Sequence, residues 1–143
     1  RLEPKTFSWL ANVSKAFELY KWQSLSFEYR PAVGANTDGM FAMAVDWGKA
    51  TLGDNFTRGD LFSLTPSVDT PVWQPTKPRQ FSLPREKLQT RAWYEISVDP
   101  NDNDNTLDRQ PGSLAVHAKS SANKVIGEIW VTYSVTLSGT RKV

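Results

Sequence analysis

Gly127-Glu128-Ile129-Trp130-Val131-Thr132-Tyr133-Ser134-Val135-Thr136-Leu137 alternates without a break. Ile129, Val131, Tyr133, Val135 and Leu137 fall on one face of an extended chain, opposite Trp130, Thr132, Ser134 and Thr136. This is the period-two pattern of a strand with one buried side. The same period recurs towards the N-terminus. Ser113–Ser120 turns Leu114, Val116 and Ala118 inward, and Thr90–Val98 sets Ala92, Tyr94, Ile96 and Val98 against Arg91, Trp93, Glu95 and Ser97. Gln80–Pro84 is a shorter strand signal. Met40–Trp47 carries Phe41, Met43, Val45 and Trp47 on one face and Met40, Ala42, Ala44 and Asp46 on the other. Both faces are apolar or small, so this strand is expected to be central and covered on both sides. In Trp22–Arg30, Leu25, Phe27 and Tyr29 oppose Ser24, Ser26 and Glu28, and Pro31 closes the run.

A helix is predicted ahead of these strands. Ser8 serves as its N-cap, and Trp9, Val13, Phe17 and Tyr20 follow at helical spacing. Gly53 to Pro78 holds Pro66, Pro71, Pro75 and Pro78 and reads as a long connection, with a short helix over Thr57–Leu64. Within it, Arg58-Gly59-Asp60 matches the tripeptide of some integrin ligands, a match short enough to arise by chance. Asp99-Pro100-Asn101-Asp102-Asn103-Asp104-Asn105 is a polar loop. Six strands with one clear helix make an all-β antiparallel sandwich, and residues 1–143 form a single domain.

Composition narrows the functions available. At 143 residues the chain can bury one core unaided. It has no cysteine, which excludes a disulfide scaffold, thiolate metal sites and a cysteine nucleophile. The net charge is +2 and no Lys/Arg run occurs, so strong contact with a nucleic-acid backbone is not expected of these residues. The longest apolar stretch, Met40–Val45, is far too short to span a bilayer, so no membrane insertion is expected. Arg1 is not Met and the first residues lack a signal-peptide core, so the chain reads as part of something longer. His117 is the sole histidine, and alternation turns it away from Leu114, Val116 and Ala118. It has no identifiable triad or zinc partners, no phosphate-cradling glycine loop occurs, and a non-enzymatic role is expected.

The order of segments resembles the shell domain of tombusvirus-like and sobemovirus-like icosahedral coat proteins. Phe7-Ser8-Trp9-Leu10 through Phe17-Glu18-Leu19-Tyr20 is similar to the family's helix, and Trp22–Pro31 to the strand that follows it. Asp38-Gly39-Met40 into Ala42–Asp46 resembles the next strand, and Gly127–Leu137 the closing one. Pro71-Val72-Trp73 and Gly112–Val116 fall in the family's order and spacing. The resemblance implies a jelly roll with sheets B-I-D-G and C-H-E-F. In that lettering Trp22–Arg30 is D, Met40–Trp47 E, Gln80–Pro84 F, Thr90–Val98 G, Ser113–Ser120 H and Ile129–Leu137 I. Strands B and C, with a basic arm that meets genomic RNA, are then expected upstream of Arg1.

The resemblance further implies a homo-oligomer, an icosahedral shell with T=3 as the candidate arrangement, found in the virion and assembled in the host cytoplasm. No cofactor is required. Calcium is the candidate cation, through Asp46 and Asp54 just past strand E, although Gly48 stands where the family commonly has a second Asp. Asp102, Asp104 and Asp108 are spaced loosely like a calcium loop but lack its glycine and its late glutamate. Trp9 and Trp47 fit core faces. Trp22, Trp93 and Trp130 fall opposite the apolar rows and are the interface candidates. The alternative reading is a carbohydrate-binding β-sandwich, with Trp93 and Trp130 as its platform.

Overall fold

A computed structural model describes residues 1–48, 55–77, 79–96, 108–121 and 123–140. After a 3-10 turn at Pro4–Thr6 come α1 (Ser8–Ser14), β1 (Phe17–Pro31), β2 (Met40–Trp47), α2 (Arg58–Leu61) and β3 (Ser67–Pro71). These are followed by β4 (Phe81–Ser82), α3 (Arg85–Leu88), β5 (Tyr94–Glu95), β6 (Gly112–Lys119) and β7 (Gly127–Thr140). All strand pairings are antiparallel. The first sheet is built on β1, which pairs with β7 from Phe17↔Thr140 to Pro31↔Gly127. β1's other edge carries β5 at Leu19 and Tyr20, and β4 at Ser26 and Phe27. The second sheet has the order β3-β2-β6.

The core lies between the sheets. Tyr20, Trp22, Leu25, Phe27 and Tyr29 of β1 face Phe41, Met43 and Val45 of β2, all buried in one cluster. β2 is central, as its two apolar faces require. Its other side, with Ala42 and Ala44, packs under Leu61 of α2.

The structure corrects several expectations. The helix stops at Ser14, and Phe17 through Tyr20 belong to β1, because the β1–β7 ladder already begins at Phe17. Aromatic and β-branched side chains favour the pleated surface once a partner strand is available. Phe7, not Ser8, is the N-cap, and no side chain caps the helix. Leu10 and Ser14, four residues apart, form its buried side, and this leaves Trp9 68% exposed rather than in the core.

Trp22 is also corrected. It is fully buried, not an interface ring, and its indole N–H donates to the Leu2 carbonyl at 3.1 Å. The cause is a β-bulge. Trp22 pairs with Val135 but Ser24 pairs with Ser134, so Gln23 is an extra residue that reverses the alternation. Tyr20 and Trp22 then point inward together with Leu25, Phe27 and Tyr29.

Strand F is misplaced in the sequence reading. Gln80–Pro84 yields only β4, which pairs with β1 in the first sheet. The strand beside β2 is instead β3, inside the segment read as a connection. Val68 and Thr70 alternate inward there, while Pro66 and Pro71 bracket an edge strand where proline costs no ladder bond. The described residues thus hold seven strands rather than six. Within the predicted short helix, α2 starts from a reciprocal cap between Thr57 and Asp60. Arg58 pairs with Asp69, so Arg58-Gly59-Asp60 is a tethered helical turn and not a displayed loop.

Two glycines mark close approaches. Gly39 has φ +128°, and a Cβ there would lie 2.2 Å from the Lys119 carbonyl oxygen. A Cβ on Gly127 would meet the Arg30 carbonyl oxygen and the Tyr29 ring, each at 2.6 Å.

Candidate functional site

No strand among the described residues pairs with the outer edges of β6 and β7. Their inward rows are only half covered: Val116 is 36% and Ile129 37% exposed. Between them opens a cavity of about 310 Å³ lined by Leu2, Phe7, Phe27, Leu114, Ile129 and Val131. The inward side chains of β3 and β4, Val68, Thr70 and Phe81, are buried, whereas those of β6 and β7 are only partly covered.

The outward face of the first sheet carries Trp130, 47% exposed and held on two sides. The Arg30 guanidinium sits 3.9 Å from its ring centroid, and its indole N–H donates to Glu128 Oε1 at 2.9 Å. Arg30 in turn pairs with Glu28 at 2.6 Å. An exposed aromatic fixed in this way has little side-chain freedom left to lose on binding. Trp93, 36% exposed, has the Lys21 ammonium 5.5 Å from its ring. Trp93 and Trp130 stand at opposite ends of β1, near Lys21 and Glu28, which are about 23 Å apart at the rise of a strand. They do not form one platform, and the carbohydrate reading loses its binding row. Trp73 and Phe62 add exposed rings that periodicity did not single out, and Trp9 adds one that periodicity had placed in the core. For Trp9 the available signal was the Leu10/Ser14 pair one position further round the helix.

Of the acidic candidates, Asp46 lies at the end of β2 opposite Ser113 and is 5% exposed. Asp54, Asp102 and Asp104 fall outside the described residues. Asp108 is exposed and pairs with Arg91. No cluster of three His, Asp or Glu residues occurs among the described residues, so they do not by themselves assemble a calcium site. Any further oxygens would have to come from elsewhere. His117 lies on the outer face of the second sheet beside Phe56, with ring centroids 6.4 Å apart.

Two buried tyrosines tie loops to the core. Burial, with the nearby Glu3 carboxylate and Tyr94, pushes the Tyr20 hydroxyl well above its ordinary pKa of 10.0. It donates to the Arg109 carbonyl. The Tyr29 hydroxyl is also raised, by burial. It lies 2.6 Å from the Val72 carbonyl oxygen and 3.1 Å from that of Ile126. Both groups are neutral anchors at ordinary pH, and neither is placed to act as a base.

Known proteins resemble this arrangement. The capsid protein of Cucumber necrosis virus is 29% identical over 136 residues, which cover 95% of this chain and 33% of that protein. The crystal structure of Cucumber Necrosis Virus superposes with a TM-score of 0.77 at 26% identity, over 97% of this chain and 44% of that one. The X-ray structure of Melon necrotic spot virus gives a TM-score of 0.83 at 20% identity, over 100% and 46%. The chain thus spans between a third and a half of the length of these relatives, and its two sheets have the jelly-roll arrangement of viral shell domains. Residues 1–143 match the family described as viral coat protein (S domain), and the chain belongs to that family.

Proposed function

We propose that this domain is the wall unit of an icosahedral capsid, which associates with copies of itself to enclose an RNA genome. The observation that carries the reading is the match of the whole chain, residues 1–143, to the viral coat S domain. The geometry supports it. A rigid double sheet presents fixed aromatic groups at Trp130 and Trp93, which suit repeated contacts between identical subunits. The role is structural rather than catalytic, and the protein resides in the virion after assembly in the host cytoplasm.

The finer parts of the proposal concern chain beyond these residues. Two further strands, B beside β7 and C beside β6, complete the sheets and cover the half-exposed rows of Ile129 and Val116. An unpaired apolar edge would otherwise invite indiscriminate pairing. RNA is met through a basic arm upstream, consistent with a net charge of only +2 in this domain. Calcium bridges subunits through Asp46 and Asp54, with its other oxygens from a neighbouring copy. Electron microscopy of the full-length coat protein tests the central claim: closed shells are expected, and a protein that stays monomeric at high concentration overturns it.

A further inference from the structure

A second cavity, of about 650 Å³, opens on the outer face of the second sheet. Its walls bring together Arg58 from α2, His117 and Lys119 from β6, Met40 from β2, and Asp38 and Ser121 from the flanking loops. The backbone makes this possible at Gly39, whose positive φ and missing Cβ let the start of β2 lie against the Lys119 carbonyl.

Three of the residues that line this cavity carry donors with unused capacity. Lys119 has no ion-pair partner among the described residues. Arg58 gives Nε and Nη2 to the Asp69 carboxylate, and its Nη1 makes no hydrogen bond among the described residues. His117 Nδ1 is enclosed without a partner. An enclosed lone pair costs less than an enclosed N–H, which favours the tautomer with its N–H on Nε2. That N–H is a third donor. The unmet need on this surface is for an acceptor.

Charge and shape select the acceptor. Asp38 lines the same cavity, its carboxylate accepting from the Ser121 hydroxyl, and Asp69 offsets Arg58. Two cations faced by two carboxylates leave no net positive charge, which disfavours a dianion more than a monoanion, and the donors suit the two oxygens of a singly charged carboxylate. Met40 and the hydrocarbon stems of Arg58 and Lys119 supply apolar wall for the body of a ligand. We propose that this cavity binds a small monocarboxylate with an apolar body, its carboxylate held by Lys119, Arg58 Nη1 and His117 Nε2.

Benzoate is the probe, with benzamide as its uncharged counterpart and inorganic phosphate as the multiply charged one. Full-length protein kept as dissociated subunits is titrated while the imidazole resonances are followed by NMR, with the His117 signal assigned by its loss in His117→Ala. Saturable movement of that signal is expected, with a Kd on the order of millimolar. Lys119→Met, an exposed change that leaves the circular dichroism spectrum unaltered, weakens benzoate by on the order of tenfold. A response that never saturates, an equal response to benzamide, or unchanged affinity in Lys119→Met overturns the site. Tighter binding of phosphate than of benzoate overturns the carboxylate assignment.

Discussion

Tyr29 and Phe41 stack face to face across the sandwich, with ring centroids 4.0 Å apart and planes 12° from parallel. The contact joins β1 to β2, one strand from each sheet, so it holds the two layers at their spacing. Phe41→Ala removes a nearly buried ring from this contact and is expected to cost about 3–5 kcal/mol of stability in chemical denaturation. Tyr29→Phe keeps the stack but loses the hydroxyl that reaches Val72 and Ile126. Its cost should be smaller, about 1–3 kcal/mol, because a carbonyl is left unpaired. Equal losses in the two variants would show that the stack is not the joint between the layers.

Trp22 and Trp130 separate folding from assembly. Trp22→Ala opens a cavity in the core and should destabilise the isolated subunit by about 3–5 kcal/mol. Trp130→Ala removes an exposed ring whose cation–π contact contributes about 1 kcal/mol or less, so the subunit should unfold nearly as wild type does. If the ring is an assembly anchor, its loss costs about 2 kcal/mol per contact and light scattering should show shell formation failing. Normal assembly by Trp130→Ala would remove it from the interface.

Gly39→Ala tests the loop geometry. Its Cβ would fall 2.2 Å from the Lys119 carbonyl oxygen at φ +128°, so either β2 or the end of β6 must shift. A stability loss of several times the roughly 1 kcal/mol of an ordinary backbone substitution is expected, read as a lowered Tm. A variant of unchanged Tm would mean that the approach of β2 to β6 is easily relaxed.

Tyr20 sets an alkaline limit. Its folded pKa stands well above the ordinary 10.0, chiefly through burial. Because the folded value is raised, the tyrosine's contribution is fully present below about pH 10 and is lost as pH climbs towards the folded pKa. Stability should therefore fall with rising pH above about 10. Tyr20→Phe should flatten that limb while lowering stability at neutral pH, since the Arg109 carbonyl loses its donor. Denaturation midpoints measured on both sides of pH 10 check the sign.

Calcium is tested on assembled particles. A chelator at neutral to alkaline pH should swell them and slow their sedimentation, and Asp46→Asn should reproduce part of the effect without chelator. Sedimentation unchanged by both treatments rejects calcium bridging through Asp46.

Hydrophobic alternation alone determined much of this protein. Period two marked β2 and β7, and apolar residues on both faces of Met40–Trp47 put that strand at the centre of its sheet. These features are local: a strand's pleat assigns its faces whatever its partner. The order of segments went further and pointed to the shell-domain family.

Tertiary structure decided what depends on pairing. The bulge at Gln23 reversed the face of Trp22, because one extra residue against a partner strand flips all that precedes it. The ladder from Phe17 to Thr140 claimed residues whose spacing also suited a helix. The strand at Ser67–Pro71 needed the neighbouring β2 to distinguish it from a proline-rich loop. The cavity around His117 was not legible either, since Arg58, His117 and Lys119 are brought together only by sheet register and by the approach that Gly39 allows. Spacing along a chain records which face a side chain takes, but which residues meet across a sheet is fixed by the fold.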